Sequence, residues 1–323
     1  MHEAVIAPFF VICYLILAAV GGPANLLAII ILSQGRCGLS RCTTYYLVAI
    51  AVSDFLVITT AVILNRISRI YFRQNVLSTT PVCTLSVVLV YATLDCSVWL
   101  TVAFTIDRFV AISYQRLKTR YCTEKTALLV IGMICVLSCI KNAPFYLAFQ
   151  PLFILDGVPW FCSVKANYYT WPVWQFYDWL FRILTPFLPF FLILLLNVFT
   201  IRHILAANRA RRKLCGAAKG QDPEMANRQR SIALLFAISL SFLLMWSPLV
   251  VHFIYVQIKD ESYFNGLDIS DPLYIFEETT NTLQLLSSCN NVFIYMVSQN
   301  LFRKQMKKIL IYPFVTLARS FKR

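Results

Sequence analysis

Charge is what this sequence has least of. Only 14% of its 323 residues are Asp, Glu, Lys or Arg, against about 25% in an ordinary soluble protein. Hydrophobic residues make up 59% and the mean hydropathy is +0.68. A water-soluble fold cannot hide that much apolar surface, whereas a bilayer is itself an apolar solvent. Glycine is scarce, at 9 residues, and no internal repeat or low-complexity segment is visible, which argues against the repeated halves of a secondary transporter. There is no CxxC-type metal spacing. Most of the 11 cysteines, Cys13, Cys96, Cys135, Cys139 and Cys289 among them, lie in apolar runs, where the thiol behaves as a small hydrophobe. No HExxH or GxSxG string and no paired mid-membrane carboxylates occur, so an intramembrane enzyme has nothing to work with. There is also no Asn-x-Ser/Thr sequon.

What the sequence does have is long apolar runs, near 6–32, 44–65, 81–107, 126–149, 173–201, 231–256 and 274–297. A membrane span needs about 20 apolar residues, and backbone polar groups in lipid must be satisfied within the segment, so each run is expected to be a helix. The fold class predicted is all-α and membrane-embedded, a bundle of seven transmembrane helices in a single domain covering 1–323. The first run is too long for a signal-peptide core and no Lys or Arg precedes it, so it reads as a retained span. Residues 298–311 place Leu301, Phe302, Met306, Ile309 and Leu310 at helical spacing among basic residues, predicting a short amphipathic helix on the membrane surface. No Cys follows Cys289, so the tail offers no palmitoylation site.

Orientation follows from the basic residues. With the N-terminus outside, most of the 29 Lys and Arg fall on inner segments, including Arg209, Arg211, Arg212, Lys213, Lys219 and Arg228 before the sixth run and Arg303, Lys304, Lys307 and Lys308 after the seventh. The loop after the sixth run is acidic instead, with Asp260, Glu261, Asp268 and Asp271 against one Lys259, and one outer loop misfits, with Arg66, Arg69 and Arg73. The net charge of +14 is therefore a feature facing membrane lipids and inner partners, not nucleic acid. A multi-pass plasma-membrane protein with an extracellular N-terminus is expected.

Charges inside a bilayer mark function by default. Asp54 and Asp95 lie within spans, and Asp107-Arg108-Phe109 closes the third. Cys83 and Arg108 are separated by about 37 Å of helix, so one belongs at the outer mouth and the other at the inner. Over nearly its whole length the chain resembles the class A, or rhodopsin-like, G-protein-coupled receptors. The residues that carry the likeness are Asn25, Asp54, Cys83 with Cys162, the Asp107-Arg108-Phe109 triplet, Pro189, Phe242 with Met245-Trp246-Ser247-Pro248, Asn291-Val292-Phe293-Ile294-Tyr295, and Phe302. Each string is weak alone; their order, one on each span, is specific. Departures are Val292 where a Pro is usual, Asn197 where a Tyr is usual, no Trp in the fourth span, and Arg228 where helix six commonly has an acid. With Cys96-Ser97-Val98-Trp99 and ANLLAIIILSQ in span one, these departures resemble the orphan branch around probable G-protein-coupled receptor 139, whose relatives respond to aromatic amino acids and peptides.

The resemblance implies several roles. Asp107, Arg108, Asn197 and Tyr295 would form the G-protein switch, with Arg108 held by Asp107 at rest. Trp246, Phe242, Pro189 and Asn291 would relay activation. Asp54, Ser97, Ser288 and Asn291 would surround an allosteric sodium ion, the one metal expected. Cys83 and Cys162 would be disulfide-bonded on the oxidising outer face. Val90 stands where amine receptors carry Asp, so a monoamine is not the expected ligand. The candidate ligand residues are Tyr91, Asp95, Arg182, Trp246, His252 and Glu278, with Glu277 and Phe181 nearby. Asp95 and Arg182 either pair with each other or separately hold an ammonium and a carboxylate. The implied partners are a small zwitterionic or short peptide ligand, a heterotrimeric G protein and arrestin. The alternatives carried are a chemosensory receptor for another small molecule and, further off, a transporter. A retinal protein is excluded, because 274–297 has no Lys to form the Schiff base.

Overall fold

A computed structural model of the chain describes residues 3–72, 75–168, 170–215, 223–259 and 272–320. Several charges in the orientation argument fall outside what is described: Arg73, Lys219, Asp222, the acids from Asp260 to Asp271, Lys322 and Arg323, and the side chains of Arg211, Arg212, Lys213, Glu224, Arg228, Lys259 and Arg319. Helices dominate. α1 covers Pro8–Ser33, α2 Arg41–Tyr71, α3 Thr80–Ser113, α4 Glu124–Ala148 and α5 Pro172–Ala210. α6 runs over Pro223–Lys259, α7 over Pro272–Ser298 and α8 over Asn300–Ser320.

Local chemistry sets several of these ends. Ser40 and Thr123 cap α2 and α4, their hydroxyls accepting from the backbone N–H of Thr43 and Thr126, each at 3.3 Å; such caps satisfy donors that the first turn leaves bare. Pro81 and Pro172 sit in the first turns of α3 and α5, where a missing N–H removes no helical bond. α5 is broken at Thr185 (φ −155°, ψ 111°), because the residue before a proline, here Pro186, is pushed out of the helical region. The helix resumes at Leu188, so Pro189 stands in the first turn of the resumed segment. Gly21 lets α1 approach α7: a Cβ there would lie 2.2 Å from Cys289 Sγ.

Among the described residues six helices, α1 to α6, are long and apolar enough to cross a bilayer. α7, the seventh helix of the expected bundle, is long enough but lower in hydropathy. The physical reason is where its polar groups go. Glu278, Thr280, Ser288 and Asn291 are all buried in the bundle, so they are shielded from lipid by their neighbours. The opposite holds on α4, where Leu137 and Ile140 are each 63% exposed; such a face needs lipid to cover it. The inner half of the bundle packs around Leu47, Ile50, Phe104, Leu234, Ile238 and Tyr295, and α8 is docked there by Phe302. A second cluster surrounds Phe242 and Trp246, and an aromatic one gathers Tyr91, Phe145, Tyr168 and Phe181 at the outer end.

The outer loop between α4 and α5 is a β-hairpin in two pieces, which periodicity did not reveal. β1 (Phe149–Gln150) pairs antiparallel with β4 (Ser163–Val164), and β2 (Phe153–Leu155) with β3 (Val158–Trp160). Asp156 and Gly157 turn it at φ 52° and 75°, the left-handed pair that a two-residue hairpin turn requires. Cys162 is bonded to Cys83 at the head of α3. Phe161 N–H also donates to Ser78 O at 2.7 Å, and Thr80 Oγ1 to Phe161 O at 2.6 Å. The hairpin is thus pinned over the mouth of α3.

Candidate functional site

At the inner end, Asp107 and Arg108 are 8% and 7% exposed and form an ion pair, with Arg108 Nε 2.9 Å from Asp107 Oδ2. Two charges leaving water together must pair closely to offset their lost hydration. The other carboxylate oxygen accepts from the Cys42 thiol of α2 at 3.1 Å. Among the described residues of α6, Ser231 Oγ reaches Arg108, at a long 3.4 Å. Arg108 is therefore held by its own neighbour on α3, with α6 contributing a weak hydroxyl contact. Around it opens a cavity of about 680 Å³ to which Lys118, Arg230, Ser231, Leu234 and Gln299 also contribute.

Asn197 and Tyr295 are not brought to Arg108. Asn197 donates to Ile193 O at 2.8 Å and accepts from Ser239 of α6 at 2.9 Å. Tyr295 is wholly buried with its ring 5.8 Å from that of Phe302, and its hydroxyl has no hydrogen-bond partner among the described residues. Midway up the bundle, Phe242 and Trp246 stack at 5.1 Å, and Pro189 opens the α5 segment whose Ile193 packs in the same cluster. Trp246 Nε1 donates to Ser287 at 3.1 Å and Asn290 Nδ2 to Ser241 at 2.6 Å, so α6 and α7 are stitched by polar bonds beneath the tryptophan.

Asp54 is fully buried; its oxygens accept from Ser97 at 2.5 Å and from Asn291 at 2.8 Å. Ser288 is buried beside them, its carbonyl tied to Asn25 Nδ2 at 2.9 Å. A carboxylate with two hydroxyls is a hard-oxygen donor set of the kind a sodium ion takes. The adjoining cavity, bounded by Ser97, Trp246, Ser287 and Asn291, measures about 10 Å³, room for one water-sized body. The residues fit a small cation on Asp54 if Asn291 turns its amide oxygen, in place of its NH₂, toward it.

The outer pocket measures about 220 Å³ and brings together Tyr91, Asp95, Arg182 and His252, with Phe181 and Glu277. Trp246 lies below it, on the 10 Å³ cavity. Asp95 and Arg182 neither pair with each other nor stand free. Asp95, 1% exposed, accepts from Lys141 of α4 at 2.6 Å, from Asn142 at 2.5 Å and from Thr185 at the break in α5. Arg182 pairs with Asp178 one turn away, at 2.6 and 3.2 Å, and Tyr168 OH donates to the same carboxylate at 2.9 Å. Glu278 faces elsewhere, toward α1 and α2, bonded to Tyr14 and to Arg66 at 2.9 Å. Its neighbour Glu277 lines the pocket instead, and its carboxylate has no hydrogen bond or ion pair among the described residues. Sequence reasoning missed Lys141, Asn142 and Asp178; a Lys inside the apolar run 126–149 was the available signal, since an intramembrane cation calls for a carboxylate partner.

Comparison with known proteins agrees with this architecture. The family model described as "7 transmembrane receptor (rhodopsin family)" matches residues 24–295. The chain is 23% identical to G-protein coupled receptor 15 of Mus musculus over 96% of its own length and 81% of that protein's. It is 25% identical to galanin receptor type 1 of Rattus norvegicus, over 66% of its length and 56% of the relative's. To the probable G-protein coupled receptor B0563.6 of Caenorhabditis elegans the identity is 23%, over 88% of the chain and 65% of the relative. With the family match spanning most of the chain, α1 to α7 forming the bundle and the Cys83–Cys162 bond at its outer mouth, the chain belongs to the rhodopsin family of seven-transmembrane receptors, and is a receptor, not an enzyme.

Proposed function

We propose that the chain is a plasma-membrane receptor, N-terminus outside, for a small ligand carrying an ammonium group, a zwitterionic amino acid or the end of a short peptide. Binding in the outer pocket drives a heterotrimeric G protein at the inner cavity around Arg108, and arrestin uses the same opening. The observation that carries the ligand class is Glu277, an acid on the pocket wall without an ionic partner among the described residues. Every other charge there is matched, Asp95 by Lys141 and Asp178 by Arg182. An ammonium on Glu277 completes the pairing, and a ligand carboxylate finds the donor edge of Arg182, which can share itself between Asp178 and a second oxygen pair. Tyr91, Phe145 and Phe181, with centroids 4.8 to 5.2 Å apart, supply an aromatic wall. A volume of about 220 Å³ lies below the roughly 300–1,000 Å³ of drug-sized pockets, matching one amino acid or one peptide end.

The test is Glu277→Gln in cells reporting G-protein activation, challenged with amino acids and short peptides. For an agonist with a free amine, potency should fall about 10- to 150-fold, the value of a charge-assisted bond of roughly 1.5–3 kcal/mol. An N-acetylated analogue should be equally weak on both receptors. Unchanged potency for the free amine would remove Glu277 as the anchor.

In the same reading Asp54 holds a sodium ion, with Ser97, Ser288 and Asn291 around it; the ion would supply a countercharge to the buried carboxylate. Exchanging sodium chloride for choline chloride should then raise agonist affinity, and Asp54→Asn should abolish that dependence. An affinity indifferent to sodium in the parent receptor would leave Asp54 a structural acid.

A further inference from the structure

Arg66 and Arg69 run against the rule that gathers basic residues on the inner side, and both line one cavity at the outer end of the bundle. It measures about 280 Å³, lies among α1, α2 and α7, and shares no lining residue with the pocket described above. Adjacent residues of α7 serve the two: Glu277 lines the first and Glu278 the second. Arg66 is matched by Glu278 at 2.9 Å and lies over the Tyr14 ring at 5.4 Å. Arg69 is not matched. Its Nη2 rests on the disulfide, 2.9 Å from Cys83 Sγ and 3.6 Å from Cys162 Sγ. Divalent sulfur is a weak acceptor and leaves the charge uncompensated. No carboxylate pairs with Arg69 among the described residues. A half-buried guanidinium at the edge of a low-dielectric bundle is costly without an anion. The walls around it are apolar or aromatic: Phe10, Val11, Ile70, Tyr14 and Tyr274.

We propose that this cavity is a second ligand site, which takes the carboxylate of an organic anion onto Arg69 and its apolar body against Phe10, Val11 and Ile70. The planar fork of an arginine matches the two oxygens of a carboxylate, and the walls reward a hydrophobic body that an inorganic anion lacks. The site is independent of the ammonium pocket and of the ligand assigned to it.

The probe is phenylacetate, added at millimolar concentration and constant ionic strength to the full-length receptor purified in a non-ionic detergent, with thermal melting as the readout. At several times its dissociation constant it should raise Tm by about 2–4 °C, while phenylacetamide and inorganic phosphate should give less than half of that. Arg69→Gln should abolish the shift and Glu277→Gln should keep it. Should Arg69→Gln not fold, Val11→Trp fills the cavity from α1 and should abolish the shift as well. No shift in the parent receptor, an equal shift with phenylacetamide or phosphate, a shift that survives Arg69→Gln or Val11→Trp, or one lost in Glu277→Gln would each overturn the assignment.

Discussion

Arg108→Ala should reach the cell surface and bind ligand, yet catalyse nucleotide exchange on its G protein roughly 10- to 150-fold more slowly. The magnitude is that of removing one charged hydrogen-bonding group, about 1.5–3 kcal/mol, at the surface the G protein must engage. Folding should survive, because the charge left behind is not stranded: Asp107 keeps the Cys42 thiol at 3.1 Å, and truncating Arg108, which lines the inner cavity, lets water reach the carboxylate it was paired with. The reciprocal variant sharpens the assignment. Asp107→Asn removes the negative charge that holds Arg108 and leaves it, among the described residues, with neutral acceptors such as Ser231 at 3.4 Å, so basal exchange should rise above that of the parent receptor. The measurement is labelled-nucleotide uptake by purified G protein with each receptor at equal surface density. Parent-like exchange by Arg108→Ala would assign Arg108 to membrane anchoring, a role long basic side chains fill readily at an interface.

That pair of variants matters because Asp107 was expected to hold Arg108 at rest and does so in the structure, while the groups around that pair were the part of the site least legible in the sequence. The triplet and its place at the inner end of a long helix could be read from spacing alone. Its partners could not. The thiol of Cys42 is 65 residues away in sequence, and periodicity carries no information on which residues of two helices meet. Asn197 and Tyr295 were grouped with the switch by resemblance; in the structure one bonds to Ser239 and the other packs on Phe302. The polar set Asp54, Ser97 and Asn291 does meet, since an acid buried in a membrane has few ways to be satisfied and hydroxyls and amides at matching depth are among them. The fold was legible for a related reason: lipid demands helices, and it admits charge only in the bundle interior. α7 is the instructive exception. Its low hydropathy reports that its polar residues are used inside, so the run 274–297 is the least apolar of the seven and still forms a helix of the same bundle. Glu277 and Glu278 make the same point at finer scale, because neighbouring residues on a helix face different directions and only packing decides which faces which pocket.

The largest effect on stability should come from the outer ion pair of Asp95, for which the sequence reading offered either Arg182 or a ligand ammonium and the structure gives Lys141. Asp95 is 1% exposed and sits where α3, α4 and the broken α5 converge. Lys141→Met leaves that carboxylate with two neutral donors, Asn142 and Thr185, and no countercharge. Stranding a buried charge costs about 3–5 kcal/mol, a large part of the roughly 5–15 kcal/mol that holds a protein folded. Surface expression and detergent Tm should both fall steeply. Asp95→Asn should cost less. The Lys141 side chain is 18% exposed on the most peripheral helix of the bundle, so its ammonium can move toward water and stack over Phe181, now 4.7 Å away. The double variant Asp95→Asn with Lys141→Met should recover much of what Lys141→Met loses, because neither charge is then left alone. Such recovery is a coupling energy of the size that contacting residues give in a double-mutant cycle, about 0.5–3 kcal/mol. If the two single losses simply add, Asp95 is not held by Lys141. It would then be available in the pocket, and Glu277 would lose its place as the one acid there in want of an ammonium.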